Sequence, residues 1–211
     1  MARPRQISDE LILETARRCF FEHGPSVSTD VIAKELGVSP QALFKRFSSK
    51  RDLMLASMRP PAIPPWTELI ADGPDERPFP EQLKAIVDEL AKYFEEIARR
   101  MSLIRWSGIP MQEVAANYDT PPPIVGIRAL ADWLQRAHHA GMIRKTDFKA
   151  SAMSLLGALH APAFLEDILG QHPTGHTRRQ YVSRVVDLFA RGLAPESVVA
   201  DEPQTTNVGQ V

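Results

Sequence analysis

Residues 28–53, STDVIAKELGVSPQALFKRFSSKRDL, leave this chain little choice of local fold. Ser28 is a strong helix N-cap, and Asp30 follows in the first turn, where a negative charge meets the positive end of the helix dipole. Val31, Ile32 and Leu36 are spaced to make one apolar face, with the small Ala33 among them. Gly37 then occupies the position after a helix end, where a left-handed backbone favours glycine. Ser39-Pro40 restarts a helix, with serine as cap and proline at the first helical position. Leu43, Phe44 and Phe47 are expected to bury this second helix, leaving Gln41, Ala42, Lys45 and Arg46 outward. Two short helices across a tight turn, with polar and basic residues on the outer face of the second, form a helix-turn-helix. A reader of the DNA major groove needs that arrangement.

The same residues carry a family resemblance. Ile32-Ala33, Leu36-Gly37-Val38-Ser39, Leu43-Phe44-Lys45-Arg46-Phe47, Ser49-Lys50 and Asp52-Leu53 together resemble the N-terminal signature of the TetR/AcrR transcriptional regulators. With the preceding helix, Ser8 to His23, the likeness covers about the first quarter of the chain. Phe44 stands where the family usually has tyrosine, which removes a hydroxyl that often reaches a phosphate. Arg46 replaces the usual histidine and adds a permanent charge.

Composition points the same way on fold. Of 211 residues, 44% are hydrophobic, enough for a substantial core, while aromatics are few and long alternating β-branched runs are missing. An all-α protein is expected. The single Cys19 shares the apolar pattern of the first helix with Ala16 and Phe20. One cysteine forms no internal disulfide, suits a reducing compartment and reads as core packing. The net charge of −1 is a poor advertisement for nucleic-acid binding. Residues 1–58, however, hold nine Lys/Arg against seven Asp/Glu, two of the positives being Arg3 and Arg5. A mild local excess suffices when two subunits bind together.

The N-terminus lacks the apolar core of a signal peptide, and no continuous apolar run approaches the roughly 18–20 residues of a membrane span. A soluble, cytoplasmic protein with no membrane partner is expected. Three parts are read along the chain: a helix-turn-helix domain at 1–59, a helical domain at 60–195 and a polar tail at 196–211. The first boundary rests on Pro60, Pro61, Pro64, Pro65, Pro74, Pro78 and Pro80, which block helix propagation, although Trp66 and Leu69 suggest that a short helical piece packs down. Beyond it, Leu83, Ile86, Val87, Leu90, Tyr93, Phe94, Ile97 and Met101 mark a long amphipathic helix from Pro80 to about Trp106. Further helices are expected at Met111–Asn117, Ile124–His138, Thr146–Leu169 and Thr177–Leu193.

The penultimate helix has two stripes. Phe148, Ala152, Leu155, Leu156, Leu159 and Ala163 suit the subunit's own core; Ala150, Ser154, Gly157, Ala158 and Ala161 permit close approach of another helix. The resemblance implies that the last two helices pair with their copies to form a homodimer. The alternative is that both stripes are internal core.

On the recognition helix, Gln41, Ala42 and Lys45 are placed to reach base edges: glutamine suits adenine, alanine a thymine methyl and lysine the acceptor pair of guanine. Thr29, Ser39 and Lys50 sit at helix starts, where backbone N–H groups and short side chains hold phosphates. Arg46 could contact either or stay solvated. In the larger half, candidate pocket residues are Tyr93, Phe94, Met101, Arg105, Trp106, Met111, Trp133, His160 and Phe164, with Arg105, Asn117 and His160 as polar orienting groups. No phosphate-cradling glycine loop, nucleophile elbow or HExxH pattern is present, the pairs His138-His139 and His172/His176 lack metal-ligand companions, and no cofactor is implied.

The resemblance then implies an all-α architecture: an N-terminal three-helix helix-turn-helix domain and a C-terminal bundle for ligand binding and dimerisation. Its partners would be a double-stranded DNA operator, a second copy of itself and an apolar small-molecule effector that releases it from DNA as a repressor. The competing readings are a helical enzyme or small-molecule carrier, or a DNA-binding regulator without a ligand.

Overall fold

A computed structural model of the protein describes residues 7–195. Among the described residues the chain forms nine α-helices and no strand: α1 Asp9–His23, α2 Thr29–Leu36, α3 Pro40–Phe44, α4 Lys50–Met58, α5 Phe79–Trp106, α6 Met111–Ala115, α7 Pro122–His139, α8 Phe148–Leu169 and α9 Arg178–Leu193. A 3-10 turn at Pro65–Ile70 bridges α4 and α5. Arg3 and Arg5, and the tail at 196–211, lie outside the described residues.

Local chemistry accounts for most boundaries. The side chains of Ser8, Ser28, Ser39, Ser49, Asp147 and Thr177 each accept a backbone N–H in the first turn of the helix they precede. Thr177 and Gln180 close a reciprocal capping box at the start of α9. Helices α5 and α7 start with proline in their first turn instead.

Two apolar cores result. The first joins α1 to α4 through Ile12, Ala16, Cys19, Phe20, Ile32, Leu43, Leu53 and Met58. The second gathers Trp66, Leu83, Leu90, Leu130, Trp133, Leu155, Leu159 and Val185 where α5 packs against α8 and α9, and α8 packs in turn against α7. Helix α5 belongs to both. Its first half fills the larger core, while Leu103 and Ile104 near its end, with Ile109 and Val114 just after, complete the smaller one. At 28 residues, α5 spans about 42 Å and links the two cores with one continuous element.

Three expected core positions are corrected. Val31 is 38% exposed, because Ile32 and Ala33 carry the buried face of so short a helix. Leu69 is also exposed; Trp66 and Ile70 carry the packing of the 3-10 turn. Phe44 is 45% exposed, because Leu43 alone fills the space beneath so short a helix.

On α8 the two stripes separate as their sizes suggest. Ala152, Leu155, Leu156 and Leu159 are buried, while Ala150, Ser154, Gly157 and Ala161 are exposed. By length and composition alone α8 could cross a membrane, yet it packs against α5, α7 and α9. Its uncovered side continues through Leu165, Ile168 and Leu169, and Leu188 on α9 is 70% exposed.

Candidate nucleic-acid interface and the cavity beside it

The turn between α2 and α3 is built by the residues that marked it in the sequence. Gly37 adopts left-handed backbone (φ 68°, ψ 32°), and the Val38 N–H donates to the Ala33 carbonyl at 3.0 Å, closing the end of α2. The Ser39 hydroxyl accepts the Ala42 N–H at 3.3 Å and opens α3. With Leu43 fully buried, α3 is pinned to the core by one face. Gln41, Phe44 and Lys45 are exposed, and Ala42 is half-buried beside them. Ser39 is exposed and Thr29 and Lys50 are half-buried, each at a helix start.

Arg46 is not a free cation. Its guanidinium donates to the Ile7 carbonyl at 2.6 Å and to Asp9 at 2.5 Å, tying the end of α3 to the start of α1. Its charge is therefore answered within the protein by Asp9, and the two bonds help orient the reading helix.

The domain that carries this surface is fastened to the larger one by a set of polar contacts around the end of α4. Within the reading domain, Arg17 of α1 donates to the Ser57 carbonyl of α4 at 2.9 Å and so brings a cation to this joint. The buried Arg100 of α5 pairs with Glu96 and reaches the Arg59 carbonyl at 3.4 Å. Arg51 of α4 pairs with Glu113 of α6 at 2.7 Å, and Arg59 donates to Asn117 at 3.1 Å. The Tyr118 hydroxyl donates to the Pro60 carbonyl at 2.5 Å. Arg17 and Arg100 are like charges meeting near carbonyls at a helix C-terminus, where the dipole is negative. Burial and the neighbouring Arg100 hold the Arg17 pKa below its ordinary value.

Beside this joint lies a cavity of about 370 Å³. Pro60, Pro64 and Trp66 wall it from the connecting segment, and Tyr93, Phe94, Ile97 and Met101 from α5. Met111, Val114 and Ala115 of α6, Tyr118, and Pro121, Pro122 and Pro123 close another side. Gly126 and Ile127 of α7 and Met153, Leu156, Gly157 and His160 of α8 complete it. Burial lifts the Tyr93 hydroxyl to a pKa of about 12, and desolvation pushes His160 below its ordinary value. Both are uncharged near neutral pH.

Comparison with known families decides what this pairing of surface and cavity belongs to. Residues 12–57 match the profile of "Bacterial regulatory proteins, tetR family", and residues 81–192 that of "AefR-like transcriptional repressor, C-terminal domain". The chain belongs to the TetR family of transcriptional regulators. The matched segments span α1 to α4 and α5 to α9.

Solved structures share the fold. A putative TetR-family regulator from Mesorhizobium loti MAFF303099 is 21% identical, with a TM-score of 0.65, over 87% of this chain and 95% of that one. The fatty acid degradation regulator FadR from Bacillus halodurans is 16% identical, with a TM-score of 0.55, over 90% of this chain and 96% of that one. The flavonoid-responsive regulator FrrA is 22% identical, with a TM-score of 0.55, over 89% of this chain and 97% of that one. No curated protein matches the chain.

Within this TetR-family regulator, five of the nine sequence-selected pocket residues meet at the cavity: Tyr93, Phe94, Met101, Met111 and His160. Four do not. Trp133 is 1% exposed and stacks on Phe79 in the larger core, at 5.6 Å between ring centroids. Trp106 is 70% exposed at the end of α5. Arg105 and Phe164 pack on each other instead, the guanidinium 5.0 Å from the ring centroid and facing Asp167, and neither lines the cavity. Asn117, expected only as a polar orienting group, does not line it either and is occupied by Arg59 and by the Glu113 carbonyl. The proline-rich segments and Tyr118 were missed: proline density signals a break in the helices, and its second role as a flat apolar wall appears only when the segments fold together.

Proposed function

We propose that the protein acts in the cytoplasm as a homodimeric repressor that an apolar small molecule releases from its operator. Reading of duplex DNA is assigned to Gln41, Ala42 and Lys45 at base edges, with Thr29, Ser39 and Lys50 at phosphates. In a dimer the two recognition helices would enter successive major grooves about 34–36 Å apart. The exposed apolar side of α8, from Gly157 and Ala161 to Ile168, together with Leu188 of α9, supports pairing of these helices across a two-fold axis.

The observation that carries effector release is the shared wall between cavity and joint. Pro60 and Tyr118 both line the cavity, and the hydrogen bond between them holds the chain just after α4. An occupant that shifts Tyr118 or α6 therefore acts on α4, through Pro60 and through the Arg51–Glu113 pair. A near-complete switch requires a preference of order 10⁴ between the two body conformations, about 5.5 kcal/mol.

The test is a gel shift of the full chain on the DNA flanking its own gene, followed by addition of compounds found in a thermal-shift screen. Retardation abolished by a stabilising compound supports the reading. A protein that retards no flanking DNA, or that stays bound with every stabilising compound, contradicts it.

A further inference from the structure

The cavity wall also constrains the chemistry of its occupant, an inference that rests on the effector reading above. Across every element that contributes to it, the wall holds no aspartate, glutamate, lysine or arginine. Its only hydrogen-bonding side chains are Trp66, Tyr93, Tyr118 and His160. The Tyr118 hydroxyl is already committed to Pro60. Tyr93 and His160 each pack edge-on against Phe94, with ring centroids 5.5 and 5.3 Å from it, and neither is engaged by a hydrogen bond among the described residues. The rest is aromatic, proline, aliphatic or methionine surface. Trp66 is held close to α7 because residue 126 is glycine: a Cβ there would lie 2.9 Å from the indole ring.

We propose that the cavity is a receptor for an uncharged, mainly aromatic molecule carrying one polar group that pairs with Tyr93 and His160, and that it rejects a carboxylate or an ammonium of the same shape. Flat proline and aromatic faces suit a planar ligand. A charge placed among them would lose its hydration and gain no counter-charge. Two fixed cations act on the wall's tyrosines, Arg100 on Tyr93 and both Arg59 and Arg100 on Tyr118, but neither is itself a wall residue, and Arg59 is engaged by Asn117. Arg100 is the one that acts on both. Its guanidinium is shared between Glu96 and the Arg59 carbonyl. The volume, about 370 Å³, admits a molecule of two or three rings.

Four probes of one shape separate charge from fit: biphenyl-4-carboxamide, biphenyl-4-ol, biphenyl-4-carboxylate and biphenyl-4-ylmethylammonium. Each is titrated calorimetrically into the full-length protein without DNA, at about pH 7.5 so that the His160 ring is neutral. The carboxamide and the phenol should bind, and the two ions should bind at least about 100-fold more weakly. Tyr93→Phe and His160→Leu should each weaken the carboxamide by about tenfold while leaving unsubstituted biphenyl unchanged. Circular dichroism melts of both variants check that they are folded, and the unchanged biphenyl affinity checks the cavity itself. Binding of the carboxylate as tightly as the carboxamide overturns the charge rule alone and leaves a receiving cavity in place; loss of that binding in Arg100→Met would then locate the anion. Variants that bind the carboxamide like the parent overturn the polar-group assignment. Failure of every probe, biphenyl included, overturns this inference alone; the effector reading beneath it falls only if the thermal-shift screen and gel shift also find no compound that releases the DNA.

Discussion

The Tyr118 hydroxyl donates to the Pro60 carbonyl at 2.5 Å, and both residues also face the cavity. One bond thus belongs to the ligand wall and to the segment that leaves the reading domain. Tyr118→Phe removes about 1 kcal/mol of hydrogen bonding while keeping the ring. We expect operator affinity without ligand to change less than threefold, and the drop in affinity caused by a saturating ligand to shrink by about a factor of five. Fluorescence anisotropy on a labelled operator, with and without ligand, measures both quantities.

On the DNA surface, Lys45→Ala and Gln41→Ala should each weaken operator binding by about 1–3 kcal/mol and relax the base preference at one position of each half-site. Arg46→Ala should behave differently, because its bonds to Ile7 and Asp9 are internal. A part-exposed ion pair contributes about 1 kcal/mol or less, so the melt shifts slightly while base preference is kept. Phe44→Tyr restores a hydroxyl on an exposed ring and should tighten binding equally to all sequences. Binding to a randomised operator library reads all four variants.

Gly126 is a site where size alone decides. A Cβ at this position meets Cζ2 of Trp66 at 2.9 Å, and the indole sits inside the larger core. Gly126→Ala should cost about 1–3 kcal/mol through overpacking and should weaken any ligand that touches Trp66. Thermal denaturation and calorimetry test the two effects separately.

Acid should loosen the body through His160. Desolvation lowers the pKa of this group in the folded state, so the unfolded chain takes up the proton first as the pH falls. Its contribution is thus present above about pH 6.5 and is lost as the pH drops below that value. The melting temperature of the parent should fall more steeply than that of His160→Gln below this point, with the two curves parallel above it.

The dimer face can be tested by charge. Ile168→Glu and Leu188→Glu alter residues that are exposed in the single chain, so neither should harm its fold. Each should convert a dimer into a monomer in sedimentation equilibrium, with operator binding reduced together with association.

The reading domain was legible in the sequence because its signals are local. Ser28, Gly37, Ser39 and Ser49 set their helix ends through bonds to near neighbours, and every one is used as its residue type suggests. The cavity was legible only in part. Tyr93, Phe94 and Met101 follow the periodicity of α5, and the same kind of pattern on α7 selects Trp133, which stacks on Phe79 of α5 inside the larger core. Whether an aromatic side chain faces a partner helix or a void depends on how α5, α7 and α8 meet. Pro60 and Tyr118, 58 residues apart, are joined by the fold alone.

The most direct test of the account is sedimentation velocity of the full chain with a fluorescent duplex from beside its own gene, repeated with the Gln41→Ala/Lys45→Ala double variant. The account predicts a complex holding two chains per operator site, and a double variant that still dimerises but leaves the duplex free. A single chain on the duplex, or a double variant that binds as tightly as the parent, would contradict it.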